Sequence, residues 1–383
     1  MNRINIAGDF YVPYIKGLKF GDELKNLLDS GDINIVNMEA PINTPKSKPI
    51  KKSGPNLQQD SYVPKFLEEN GFNAISLANN HAMDYGEMAL DATLQAFSKA
   101  KVFGAGTFDQ AYNVIYLPVS NKRIGILGIS QYEFGMHDEE TYTKEKLGIA
   151  WMGHPCIDKL IIDSKQKCDF LIILPHAGLE NFEYPLPEVC TLYRHFVEMG
   201  ADAVVGGHPH IPQCIETYKG KPIIYSLGNF CFDTPYKGNP MWNEGLIVTI
   251  DINESRNASV TIRSTQFNQS THIVEIPSNQ KMVTFLQDIN TVFHDKNNYH
   301  NVINSRCLEL APYYTSLFEL SGLFQLNIKR CVKHLLVSIR NFILNKKNPT
   351  INDSHFINNI RCETHRWIIS RIYELKSYTL KEI

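Results

Sequence analysis

The sequence predicts an α/β fold on three observations: short, almost uninterrupted apolar runs through the first 230 residues, helical periodicity between several of them, and a change to alternating polarity after residue 244. The runs at 3–9, 33–39, 73–79, 123–130, 169–176, 201–208 and 222–229 read as strands. A strand with one wet face alternates polar and apolar side chains, so continuous apolarity marks strands covered on both faces. Residues 86–100 and 186–200 place apolar side chains at helical spacing and close near a glycine. Residues 246–252, 259–265 and 272–277 alternate, and read as an antiparallel edge.

At 383 residues the chain is long enough for one large core with an appendage or for two domains. From about residue 280 the pattern turns helical with polar connectors, so the expected division is 1–280 and 281–383. The later part holds 14 Lys and Arg against 8 Asp and Glu, net +6, and leaves −8 on the first part. The whole chain, at −2, gives no global electrostatic argument for a nucleic-acid partner. The first residues run straight into a strand pattern without a signal-peptide profile, and no apolar run is long enough to span a bilayer, so the expectation is a cytoplasmic protein. One basic amphipathic stretch, 323–347, repeats Phe324, Ile328, Val332, Leu335, Ile339 and Phe342 at helical spacing, with Lys329, Arg330, Lys333 and Arg340 on other faces. It reads either as a helix lying on an anionic membrane or as ordinary packing of a terminal helix. The eight cysteines are scattered, without a CxxC pair, and read as buried free thiols.

The chemistry gathers at strand ends. The runs end in Asp9, in Asn37 and Glu39, in Asn79, Asn80 and His81, in His176 and Glu180, in His208 and His210, and in Asn229. In layered α/β folds the carboxyl ends of strands form the ligand crevice, so these distant positions can converge there. Singly, several have a plainer reading: Gly8-Asp9 as a turn, Asn79-Asn80 as an Asx-turn or helix N-cap, His176 as a satisfied core histidine. Together, imidazole, carboxylate and amide oxygen without thiolate suit zinc, manganese or iron and argue against a structural zinc. Pro209 is expected to hold residue 208 extended, which would point His208 and His210 the same way. His195, on an amphipathic helix, reads as structural.

The stretches "GD" (8–9), "NMEAPI" (37–42), "LANNHAMDYG" (77–86), "HAGLENFEYP" (176–185), "GADAVVGGHPHIPQ" (200–213) and "KPIIYSLGNFCFD" (221–233) resemble, in order, the motifs of the bacterial capsule-synthesis CapA family. That family, also called poly-gamma-glutamate biosynthesis protein, belongs to the calcineurin-like metallophosphoesterase superfamily. The resemblance implies a sandwich of two sheets flanked by helices with a metal centre at the strand ends. It implies Asp9 and Glu39 as carboxylate ligands, Glu39 standing where many relatives carry a bridging aspartate. It further implies Asn80 as amide ligand, His176, His208 and His210 as imidazole ligands, His81 as the residue that contacts substrate or donates a proton, and Asp84 as its orienting partner. Two positions depart from the pattern. Tyr11 stands where the superfamily's first motif carries histidine, and Ala177 replaces a tryptophan after the histidine of "HAGLE".

The expected function is a metal-dependent hydrolase with one or two transition-metal ions (Zn, Mn or Fe), acting on a phosphoester or related bond in capsule, exopolysaccharide or poly-gamma-glutamate synthesis. A non-catalytic assembly or export factor that binds an anionic polymer is the alternative, and a gamma-glutamyl amide hydrolase the second. Tyr11, Glu180 and Asn229 are expected to meet metal or substrate. Lys46, Lys48, Lys51 and Lys52, in the loop 41–56 after Glu39, either rim the site and favour an anionic substrate or form a solvated loop. The C-terminal helices are a second expected contact surface, for membrane or capsule machinery.

Overall fold

A computed structural model describes residues 2–138, 145–234, 238–254, 258–279, 281–321 and 353–379. The chain divides into two compact units. The first comprises Met1–Ile50 and Asn56–Tyr299, the second Lys51–Pro55 and His300–Ile383.

The first unit is built on two sheets. The larger runs β2(Lys19–Phe20), β18(Ile273–Glu275), β17(Ala258–Asn268), β16(Glu244–Ile252), β1(Asn2–Tyr11), β3(Ile33–Met38), β4(Ala74–Ser76) and β5(Lys101–Phe103), with β15(Asn229–Phe232) pairing beside the end of β1. The second runs β13(Ile215–Tyr218), β14(Lys221–Ile224), β12(Ala203–Val205), β11(Phe170–His176), β8(Lys122–Ser130) and β7(Ile115–Val119). A small third sheet joins β6(Ala105–Gly106), β10(Gly148–Ala150) and β9(Met136–His137).

Side-chain alternation explains the layering. Ile4, Ile6, Ile33, Ile35, Leu246, Val248 and Ile250 of the larger sheet form one core with Ile124, Ile126, Phe170, Ile172 and Leu174 of the second. The intervening Val36, Met38, Ile75 and Ile247 point the other way and join Leu24 and Leu28 of α1(Asp22–Asp29), Val63 and Leu67 of α2(Val63–Glu69) and Leu90 of α3(Gly86–Gln95). Covering both faces makes the apolar runs continuous. The second sheet has α5(Ile157–Lys165) and α6(Pro187–Met199) packed on it, α4(Phe108–Ala111) being a single turn against β10. The first unit is thus a two-sheet sandwich flanked by helices.

Three boundaries differ from the sequence expectation. Helix α3 stops at Gln95 rather than running to 100, because the N–H groups of Ser98, Lys99 and Ala100 donate to the Glu68 carboxylate. The single run 222–229 is two strands: the chain turns at Gly228, with φ +67°, so β14 stays in the second sheet and β15 crosses to β1. The first unit extends to Tyr299, past the change of pattern at 280, because α7(Lys281–His294) buries Met282, Ile289 and Phe293 and Tyr299 donates to Pro185 O at 2.6 Å.

The second unit contains most of α8(Lys296–Ser321), with α9(Asp353–Arg361) and α10(Glu363–Thr379). Ile303, Cys307, Cys362, Ile368 and Ile372 are buried within it, and Arg371 donates to Asn304. The stretch 323–347 lies outside the described residues. Among the described residues no helix is long and apolar enough to cross a membrane, and the seven described cysteines are free thiols.

Candidate metal centre

The parallel strands β1, β3 and β4 of one sheet and β8, β11 and β12 of the other bring their carboxyl ends to the same edge of the sandwich. Register supplies the neighbours: Asp9 stands beside Asn37 across β1–β3 and beside Asn229 across β1–β15. Asp9, Glu39, Asn80, His176, His208, His210 and Asn229 are all buried, and Asp9 and Glu39 are 0 % exposed.

Asp9, Glu39 and His210 each offer a ligand atom within 4.8 Å of the others. His210 Nε2 lies 3.7 Å and His176 Nε2 3.6 Å from the same Glu39 Oε1. His176 Nε2 also stands 3.1 Å from Asn80 Oδ1 and 3.2 Å from His208 Nδ1. Glu39 Oε1 therefore lies between His210 and His176, and Asp9 stands 3.8 Å from a nitrogen of each, while Asn80 and His208 meet His176. Among the described residues neither buried carboxylate oxygen of Glu39 has a hydrogen-bond partner within bonding geometry, the Asp9 carboxylate being the group that interacts with it most directly after burial. Burial, with Asp9 alongside, pushes its carboxyl well above the ordinary carboxylate range. Burial pushes His176 down. His210 is also lowered by burial, but Glu39, Glu180 and Asp9 outweigh that and leave it raised. A buried carboxylate with bare oxygens beside a second carboxylate and imidazoles fits a divalent cation, whose charge would compensate both acids.

The two histidines of "GGHPHIP" meet differently from expectation. His208 has φ +96° and His210 φ +62°, so the segment is a left-handed turn and not an extended strand. Such backbone costs on the order of 1–3 kcal/mol per residue. Hydrogen bonds hold it there: His208 N to Asp9 Oδ2, Asn181 N to Pro209 O and Ala177 N to Gly207 O. Gly207 permits the approach, since a Cβ there would lie 2.9 Å from Asp9 Oδ1.

Around this centre the amides act in series. Asn79 donates to Asn37 Oδ1 and Asn37 donates to Asp9 Oδ1, which aims the carboxylate. Asn79 Oδ1 also accepts from His81 N, so the Asx-turn reading is correct for Asn79 while its neighbour Asn80 faces His176. His81 Nδ1 lies 2.7 Å from Asp84 Oδ2, both buried. Leu57 N donates to that same Asp84 oxygen, and Ile50 N and Asn56 Nδ2 donate to Asp84 O. The ends of the loop bearing exposed Lys46 and Lys48 are thereby tied to the His81 turn.

Tyr11 is 7 % exposed and packs on Phe232, in an apolar cluster with Ala40 and Trp242; burial pushes its phenol up. Glu180 is exposed, and its charge helps raise Glu39 and His210. Ala177 is fully buried. His195 pairs with Asp158 on the helical layer. Sequence reasoning passed over Gln131, whose Oε1 accepts from Gly178 N while its Nε2 meets His208 Nε2 at 3.0 Å and donates to Glu133. It directly follows a strand run, so the strand-end pattern that marks the other residues also marks this one.

Comparison with known proteins gives a match to the family model "Bacterial capsule synthesis protein PGA_cap" over residues 15–234. The chain is 33% identical over 215 residues to the capsule biosynthesis protein CapA of Bacillus anthracis, covering 54% of this chain and 52% of that protein. It is 29% identical over 231 residues to the PGA biosynthesis protein CapA of Bacillus subtilis (strain 168), covering 58% and 60%. The match thus spans little more than half the length of these relatives. Among solved structures, a putative 5'-nucleotidase from Staphylococcus aureus superposes with a TM-score of 0.43 at 18% identity, over 68% of this chain and 52% of that one. A likeness that loose bears on no activity.

Proposed function

The chain belongs to the bacterial capsule synthesis PGA_cap family, and from that premise we propose that its buried centre is a metal-dependent hydrolytic site acting on a phosphoester or related bond in the assembly of an anionic capsule polymer or poly-gamma-glutamate. The observation that carries the reading is Glu39, a fully buried carboxylate with neither oxygen hydrogen-bonded among the described residues. Asp9, Glu39 and His210 would hold one ion of zinc, manganese or iron; Asn80, His176 and His208, sharing Glu39, would hold a second. A bound ion supplies a Lewis acid and lowers the pKa of its water.

The chain's own residues do the rest. Asn37 keeps Asp9 turned toward the centre. Asp84 holds Nδ1 of His81, which leaves Nε2 as the nitrogen that exchanges a proton with the leaving group. Lys46 and Lys48 draw an anionic chain toward the rim through a loop fastened to Asp84. One observation favours the second reading, a polymer-binding assembly factor without turnover: Tyr11, placed where an imidazole would be expected, packs among apolar side chains.

Elemental analysis of purified wild type beside Asp9→Ala and Glu39→Gln tests the centre. The expected result is one to two equivalents of transition metal, lost in both variants. Chelator-sensitive cleavage of a chromogenic phosphodiester, abolished in His81→Ala, would follow from the hydrolase; cleavage of a gamma-glutamyl anilide instead would move the reaction to an amide. Metal without turnover of either, together with retention of polyglutamate, would establish the binding role. No metal after reconstitution with all three ions would overturn the centre itself.

A further inference from the structure

Asn229 begins β15, at the point where the chain leaves the second sheet for the first, and its Cα is paired with that of Asp9. Its amide has one available orientation. The main-chain carbonyl of Trp242 only accepts, so Asn229 Nδ2, 2.9 Å away, donates to it. Asn229 Oδ1 then faces His210 Nδ1 at 3.0 Å. That oxygen only accepts, so His210 carries its proton on Nδ1 and donates. The lone pair is left on Nε2, which looks toward Glu39 Oε1 at 3.7 Å.

Two rings fix the plane of the imidazole. Phe232 meets His210 edge-on at 4.7 Å between centroids, and Trp242 packs on it at 4.9 Å. Asn229, Phe232 and Trp242 thus bracket a histidine whose backbone is left-handed. In the neutral ring Nε2 faces Glu39 Oε1 with its lone pair, an arrangement that a cation between them would satisfy and that a proton on Glu39 satisfies in its absence.

We propose that Asn229 is a positioning residue: it selects the His210 tautomer that presents Nε2 to the ion and does not itself bind metal or substrate. The inference rests on the metal reading above for its consequence, and on hydrogen-bond geometry alone for its mechanism. An imidazole held by an outer partner loses about 10- to 100-fold in metal affinity when that partner is removed.

The test uses the full chain labelled with 15N-histidine. Long-range 1H–15N correlations on metal-free protein are expected to show His210 protonated at Nδ1 in wild type and as a mixture of tautomers in Asn229→Ala. Calorimetric titration with Zn2+ is expected to give a 10- to 100-fold weaker site in Asn229→Ala, and near wild-type affinity in Asn229→Asp, which keeps the acceptor. A proton on Nε2 in wild type, or unchanged affinity in Asn229→Ala, overturns the proposal. If Asn229→Ala fails to fold, the wild-type tautomer and the affinity of Asn229→Asp decide it. Wild type that binds no metal refutes the metal centre, while its tautomer spectrum still decides whether Asn229 sets the ring.

Discussion

At the scale of single residues the centre is dominated by Glu39, whose two oxygens have no hydrogen-bond partner among the described residues and which lies in one 4.8 Å group with Asp9 and His210. With its folded pKa well above the ordinary carboxyl value, native protein without metal retains a proton that the unfolded chain has already lost. The number of bound protons is then larger in the native state, so this group lowers stability as pH rises above the carboxylate range toward its folded value. Glu39→Gln removes that penalty. Melting curves in chelator at pH 8 are expected to place Glu39→Gln above wild type, and added Zn2+ or Mn2+ to raise wild type while leaving the variant unmoved. A variant that melts below wild type in chelator would mean that Glu39 is ionised at little cost, contrary to its burial. The strained φ angles of His208 and His210 belong to this scale as well: a few hydrogen bonds hold them, and the turn they make sends His210 toward Glu39 and His208 toward His176.

At the scale of elements, the decisive event is the crossing from β14 to β15. A sequence reader sees residues 222–229 as one apolar strand, because hydrophobicity does not report that a chain changes sheets. Gly228 is the pivot: it takes φ +67°, and a Cβ there would meet Pro212 N at 2.8 Å, while its carbonyl accepts from Asp9 N. Gly228→Ala therefore adds left-handed strain to a backbone clash. Urea denaturation is expected to show a loss of at least ~1–3 kcal/mol, and metal content to fall with it, since Asn229 and Asp9 both shift. A variant as stable as wild type, with its metal intact, would show that the crossing tolerates a side chain and that Gly228 is not its pivot. The end of α3 at Gln95 shows the same limit of local reasoning. Residues 96–100 keep helical composition, yet their N–H groups are claimed by Glu68, thirty residues earlier in the chain.

At the scale of the molecule, the first unit carries its own core and the whole centre, and it closes only with α7 and Tyr299. A chain ending at 299 is expected to keep a cooperative thermal transition and its metal. One ending at 280 loses the buried Met282, Ile289 and Phe293, at about 1.5–3 kcal/mol for each fully buried side chain, and calorimetry is expected to show a lower or broadened transition. Equal transitions would place α7 outside the cooperative unit. The sequence by itself determined the layered α/β class, because burial on both faces forces continuous apolar strands, and it singled out the candidate residues, because ligand-type side chains recur at one strand end after another in an otherwise apolar framework. It also carried the family, through motifs long enough to be specific. Only the tertiary structure decided which of these residues stand within contact distance, that the histidine turn is left-handed, that Asn229 meets His210 and that Tyr11 lies among apolar rings. Each of those depends on a pairing or a dihedral angle set by residues far away in the chain, and composition and periodicity describe only neighbours.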